Sequence, residues 1–330
     1  MPGGRGWRAV EFPRRMPQMS LSGLEMVMER ATVGRRAVLA ALTAGTLAGC
    51  GRAAGLGSGH TAASAPSPAP AMAGPGTART SSPAVATATA APSPAGLSRA
   101  KVVARYGKLK PDYWGFGGPG VVRDLHTTRR VIALTFDACG GPGGSEYDAA
   151  LIEFLRQREV PATLFLNSRW IDENPAVFRR LRGEPLFELA NHGTRHLPLS
   201  VTGRSAYGIG GTRDAGEVYD EVATNQVKLT RLLGAPPRYF RAGTAYSDDV
   251  AAQIVTAMDV SLVTFSVNGD GGATFTPGEV RSTVAAAPAG SVVLCHMNHP
   301  RGGTAQGIAA AVPQLTAAGY RFVRLSDGLS

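Results

Sequence analysis

The chain has 330 residues, with 34 Lys and Arg against 24 Asp and Glu, a net charge of +10, and three Cys. Three Cys are too few for a disulfide scaffold, and the basic residues form no basic helix, zinc-finger spacing or Lys/Arg run with interleaved aromatics, which argues against a nucleic-acid partner. Seven Arg and three Glu fall in residues 1–49, leaving +6 for the remainder, a mildly basic surface suited to solubility or to an anionic polymer.

Residues 1–50 read as an export segment. Arg35-Arg36 precede an apolar stretch from Ala37 to Ala48, and Leu47-Ala48-Gly49-Cys50 closes it. A basic start, a short apolar core and small residues before a cut site are the parts of a secretion signal. The core is too short to serve as a stable spanning anchor. The ending resembles a bacterial lipobox, which implies a lipid on Cys50 and a place on the outer face of the cytoplasmic membrane. The paired Arg resembles a twin-arginine signal, a looser match. The competing reading is a buried helix of a small N-terminal domain, for which nothing nearby offers a packing partner. Residues 51–98 are almost all Ala, Pro, Ser, Thr and Gly. Such a segment buries too little apolar surface to offset its ordering entropy, so a disordered tether is expected.

Residues 99–128 bring Val102, Val103, Tyr106, Tyr113, Trp114 and Phe116 among Gly and Pro, and read as a lead-in packed on a domain spanning 129–330. In that domain, strand-like runs alternate with helical patterns. The expected strands are Val131–Asp137, Ala162–Leu166, Leu186–Ala190, Tyr239–Arg241, Ser261–Val267, Val292–His296 and Tyr320–Leu325. The expected helices are Tyr147–Arg158, Asp214–Leu233, Asp248–Met258, Glu279–Ala287 and Gly307–Ala317. Thr276-Pro277-Gly278-Glu279 has the form of a capping box. Alternating β and α with short links implies an α/β fold with a mostly parallel sheet, open or closed, of about seven strands.

Several strand-like runs end in groups that bind metals or move protons. Asp137 ends the first, before Ala138-Cys139-Gly140-Gly141, as a metal ligand, a general base or simply a turn former. His192 and His196 follow the third, and on a helical turn an i, i+4 pair faces one ion. Glu188 and Asn191 are placed to orient that pair. Arg241 suits a two-toothed hold on a carboxylate. His296 is a candidate general acid, with Asp270 to orient it or merely to shape the loop Asn268–Gly272. Cys139 and Cys295 each sit beside a catalytic strand end, either as a disulfide or as two free thiols.

In order, Thr135-Phe136-Asp137, His192-x-x-x-His196, Phe240-Arg241 with Tyr246, an acid-bearing loop and Leu294-Cys295-His296 resemble the polysaccharide deacetylase family (NodB homology, carbohydrate esterase 4). Ala318–Val323 resembles its last strand. The resemblance implies a distorted (β/α) barrel and metal-dependent deacetylation of a sugar polymer. It further implies Asp137 as base, His192 and His196 as metal ligands, Arg241 as holder of the base and His296 as acid. Zinc suits such a site, and cobalt or nickel can replace it.

Two positions depart from the family pattern. Ala138 stands where the family carries a second Asp, its third ligand, and Ala245 stands where it carries Pro. Asp137 itself as ligand, another side chain or water completing a weaker site, and loss of metal and activity all remain open for the first. The leading expectation is a monomeric, lipid-anchored deacetylase of a cell-envelope polysaccharide, most simply peptidoglycan. The alternative is a catalytically impaired carbohydrate-binding domain of the same fold. A cysteine hydrolase built on Cys139 and His296 lacks a nucleophile elbow.

Overall fold

The computed structural model describes residues 96–330. The expected export segment, Cys50 and nearly all of the expected tether lie outside the described residues. Helix α1 (Arg99–Tyr106) starts on Ser98, whose side chain accepts from the Lys101 N–H. It buries Val102 and Tyr106 in one cluster with Leu199, Val218, Val222 and Ile254.

The strands are β1 (Trp114–Gly115), β2 (Val131–Ala138), β3 (Ala162–Leu166), β4 (Phe187–Asn191) and β5 (Tyr239–Phe240), then β6 (Ser247–Asp248), β7 (Ser261–Leu262), β8 (Val267–Asn268), β9 (Val292–His296) and β10 (Arg321–Phe322). The main sheet runs β7-β5-β4-β3-β2-β9-β8, with β10 also on β2, and every pairing in it is parallel. Helices α2 (Ala149–Gln157), α3 (Ser168–Glu173), α4 (Pro175–Leu181), α5 (Ala215–Leu233), α6 (Asp249–Ala257), α7 (Pro277–Ala285), α8 (Thr304–Ala317) and α9 (Leu325–Gly328) accompany it. Asp214 and Asp248 cap α5 and α6, and Thr276 with Glu279 forms the expected capping box on α7.

The sheet curls into a half-barrel. Its two edge strands, β7 and β8, are joined by residues 263–266 alone. A chain that short reaches at most about 17 Å, so the edges face each other across a narrow gap. The run Ser261–Val267, expected as one strand, therefore serves both edges. It breaks because the Val263 and Thr264 carbonyls turn to accept from Arg241. The last run is likewise shorter than expected, since the chain enters α9 at Leu325.

Strand β2 is buried at all eight positions, as a strand covered on both faces must be. Its outward residues Ile132, Leu134, Phe136 and Ala138 join the main core against the helices. Its inward residues begin with Val131 and Ala133, which pack with Phe165, Ala190 and Val292 to plug the barrel. They end with Thr135 and Asp137. The plug is apolar at the N-terminal end of the strands, and the polar groups gather at the C-terminal end, where parallel-sheet enzymes carry their chemistry.

Candidate active site

Register sets the first pair. Asp137 on β2 is the direct neighbour of His296 on β9. Adjacent parallel strands lie about 4.8 Å apart and paired residues face the same side, so carboxylate and imidazole open onto one cleft. Asp137 is buried and accepts from Arg241, Nη1 to Oδ1 at 2.7 Å. The Arg241 guanidinium is fully buried. Its Nη2 donates to Thr135 Oγ1 at 2.9 Å and to the Thr264 carbonyl at 2.7 Å, and the group stacks 4.1 Å above the Phe165 ring. A guanidinium so completely engaged holds the carboxylate in one orientation.

The His192/His196 pair is not on a helix. It lies in a loop after β4, and Gly193 (φ +77°) and His196 (φ +64°) take left-handed backbone conformations that fold the two rings together. Ring centroids are 4.8 Å apart. Glu221, on the buried face of α5, accepts from the Thr194, Arg195 and Leu197 N–H groups and so pins the loop. Asn191 Oδ1 accepts from the Gly193 N–H, and Asn167 donates to the carbonyls of His192 and Gly193. Glu188 plays no part here: it faces the barrel plug and accepts from Thr163 and Ser326. His192 Nδ1 lies 2.9 Å from the Arg241 carbonyl. A carbonyl only accepts, so Nδ1 carries the proton and Nε2 presents its lone pair to the cleft. Burial opposes the charged form of His192, but Asp137 and Cys139 outweigh it and raise its pKa.

Gly243 brings the loop before Tyr246 against the same backbone. A Cβ there would sit 2.3 Å from the His196 carbonyl carbon and oxygen. Ala245 has φ +62°, a value closed to the Pro that the family pattern carries at this place. Tyr246 then packs at right angles to Phe116 and Tyr207 and at a tilt to Trp114.

His296 is held by Asp270, fully buried, whose Oδ1 accepts from Nδ1 at 3.0 Å. Its Oδ2 accepts from the His296 N–H at 2.7 Å and from Thr304 Oγ1 at 2.9 Å. Burial works against both charges. The pairing with Asp270 nevertheless raises the His296 pKa well above the ordinary imidazole range, and the same contact lowers that of Asp270. His299 has its ring 6.3 Å from His296; burial and that neighbouring charge lower its pKa.

Cys139 and Cys295 are both free. Cys295 belongs to the outward face of β9 and the main core. Cys139 follows β2 and points the other way, with Sγ 3.8 Å from His192 Nε2. Burial opposes its thiolate, but the charge of His196 and hydrogen bonds with His192, His196 and His296 hold the thiol well below its ordinary pKa. Among the described residues, one group of three metal-type donors converges: Cys139, His192 and His196, whose donor atoms lie within 4.8 Å of one another. A thiolate with two neutral imidazoles fits a borderline divalent ion such as zinc. Asp137 Oδ2 adjoins the group, 3.5 Å from His192 Nε2.

Residues 124–263 match the family model described as polysaccharide deacetylase. A chitooligosaccharide deacetylase of a Bradyrhizobium species is 32% identical over 184 residues, which cover 54% of this chain and 75% of that protein. The chain belongs to the polysaccharide deacetylase family. It is thus a hydrolase of amide bonds. A peptidoglycan-N-acetylglucosamine deacetylase of Bacillus cereus is 26% identical over 211 residues, 63% of this chain and 92% of that one. Among solved structures, a carbohydrate esterase 4 pseudoenzyme from Bacillus anthracis matches with a TM-score of 0.55 at 20% identity, over 64% of this chain and 70% of that one. Likeness at that identity speaks to the fold.

In this polysaccharide deacetylase, Asp137, Arg241, His192, His196, Asp270 and His296 all meet at one end of the sheet. Sequence reasoning passed over Glu221, although a signal was present. It stands one residue before Val222 on the buried stripe Val218, Val222, Leu229 of α5, where a lone acid calls for a partner. It also weighed Cys139 as a disulfide or a nucleophile and not as a donor to the His pair.

Proposed function

We propose that this chain is a metal-dependent deacetylase that removes acetyl groups from N-acetylated sugars of a cell-envelope polysaccharide, with peptidoglycan as the substrate. The observation that carries the reading is the register of Asp137 beside His296 on neighbouring strands, each held by its own buried partner, Arg241 and Asp270. A base and an acid fixed side by side suit a reaction that needs both in one turnover. The peptidoglycan assignment draws on the Bacillus cereus relative and on the expected export signal and lipid on Cys50. A surface position and a monomeric state belong to the same proposal.

His192 and His196, next to Asp137, would hold a divalent ion of the zinc class. When bound, such an ion acidifies water and polarises the acetyl carbonyl. Asp137, steadied by Arg241, takes a proton from the attacking water as its oxygen bonds to the carbonyl carbon. The backbone N–H of Tyr246 is the donor proposed for the developing oxyanion. His296 carries its proton on Nε2 toward the amide while Asp270 holds Nδ1. It gives that proton to the sugar nitrogen as the C–N bond breaks, because an amide nitrogen leaves poorly unless protonated. The products are acetate and a free amine.

A non-catalytic binding domain rests on Ala138, which has no donor and faces the main core. The test is acetate release from N-acetylated chito-oligomers and from purified peptidoglycan, with the zinc-loaded protein. Turnover that disappears in His296→Ala supports the enzyme. Binding of both polymers without acetate release under zinc, cobalt or nickel refutes it.

A further inference from the structure

The position where a third donor is missing is followed by a residue whose side chain is of a metal-binding type, Cys139. Ala138 is the last outward residue of β2 and is sealed in the main core, so a side chain there is directed away from the His pair. Just beyond it, the chain turns through Gly140 (φ +67°) and Gly141 (φ +77°). Gly140 is pressed against α3, where a Cβ would lie 2.6 Å from the Trp170 nitrogen. This turn brings Cys139 to the cleft, with Sγ 3.8 Å from His192 Nε2 and the His196 donor within the same 4.8 Å group. A tetrahedral zinc with sulfur at about 2.3 Å and nitrogen at about 2.0–2.1 Å asks for donor separations of roughly 3.3–3.6 Å, a small contraction from what stands here. The Arg241 carbonyl already orients the His192 ring with Nε2 toward the sulfur. Asp137 is the rival donor, but one of its oxygens is bound to Arg241.

We propose that Cys139 is the third protein ligand of the centre, so that one thiolate and two imidazoles (Cys139, His192, His196) hold the ion. This assignment rests on the deacetylase reading only for the presence of a metal, and it deepens that reading by naming the donor set. On binding, the S–H bond of Cys139 breaks, the sulfur–metal bond forms and the proton passes to buffer. A sulfur donor biases the site toward zinc and cobalt and against magnesium, calcium and manganese. It also leaves Asp137 free for proton transfer, since that carboxylate need not serve as a ligand.

The experiment is cobalt titration of the full chain after metal removal, read in the ultraviolet and visible, with zinc affinity measured by competition against a chelator. The wild type is expected to bind one cobalt with a sulfur-to-cobalt charge-transfer band. Cys139→Ser loses the band and at least roughly 10–100-fold in zinc affinity, the range that even supporting residues of metal sites cost. Cys139→Asp restores zinc affinity without the band, and Cys295→Ala and Cys50→Ser keep it. A wild-type cobalt protein with no such band, or unchanged zinc affinity in a folded Cys139→Ser, overturns the assignment in favour of Asp137. Acetate release measured in parallel separates the two readings. A band without acetate release leaves the thiolate centre and removes the deacetylase; acetate release without a band does the reverse.

Discussion

On one flank of the cleft, His296 is gripped by an acid that is itself bonded at every turn, to Nδ1, to the His296 N–H and to Thr304. On the other flank, His192 and His196 hang from a loop with two left-handed residues, steadied at its backbone by Glu221 and Asn191. The first flank is an ion pair on a strand end and needs nothing else to be complete. The second is a set of converging donors, joined by the long contact of Cys139 Sγ with His192 Nε2 at 3.8 Å. Strand register builds a proton-transfer pair well. A cation site needs convergence from several directions, which loops supply at the cost of strained backbone.

Four substitutions press on that contrast. Arg241→Ala should do the most damage: it leaves Asp137 buried without its guanidinium partner, while the residue 241 carbonyl that faces His192 Nδ1 is kept. A cost of about 3–5 kcal/mol is expected, seen as a lower urea midpoint, together with loss of acetate release. His296→Ala should cut kcat by roughly 10²–10⁴-fold with bound zinc unchanged. If zinc were lost as well, the two flanks would not be separate. Gly243→Ala should act on the opposite side alone. Its new Cβ meets the His196 carbonyl at 2.3 Å, so zinc affinity should fall about 10–100-fold while the His296 titration followed by NMR stays in place.

Asp270→Asn is the mildest and the most diagnostic. Asp270 raises the His296 pKa well above the ordinary imidazole range, and the acid must be protonated to act. On the alkaline side the wild-type rate is therefore expected to hold until pH rises past that elevated value. With Asn in place, the imidazolium loses its counter-charge and deprotonates at lower pH, so the alkaline limb of the kcat profile should move down. The loss of rate near neutrality should be smaller than the roughly 10²–10⁴-fold expected on removing the acid. An unmoved limb would show that another group governs it.

Much of this was legible beforehand because of periodicity. The unbroken apolar run Val131–Leu134 marks a strand covered on both faces, and the sheet places it centrally. The Asp270–His296 contact was open to expectation because both residues lie at strand-to-loop junctions. The His192–His196 spacing pointed to two rings that do converge, but through the wrong element: no helical turn is present there, and left-handed backbone at Gly193 and His196 brings them together. Ser261–Val267 misled because its composition is strand-like throughout. Its break comes from Arg241, a residue more than 20 positions earlier, whose demand for acceptors turns the carbonyls of Val263 and Thr264 inward.

Local pattern thus determined the identity and order of the candidate reacting groups and the strands that carry them, because alternation along a strand decides which residues share a face. Tertiary structure decided which way Cys139, next to Ala138, is directed. Whether Cys139 pairs with Cys295, stays idle or joins His192 and His196 depends on the direction of one glycine turn and on the face of β9 that Cys295 occupies. Those directions come from packing against α3 and the main core, and no spacing along the chain encodes them.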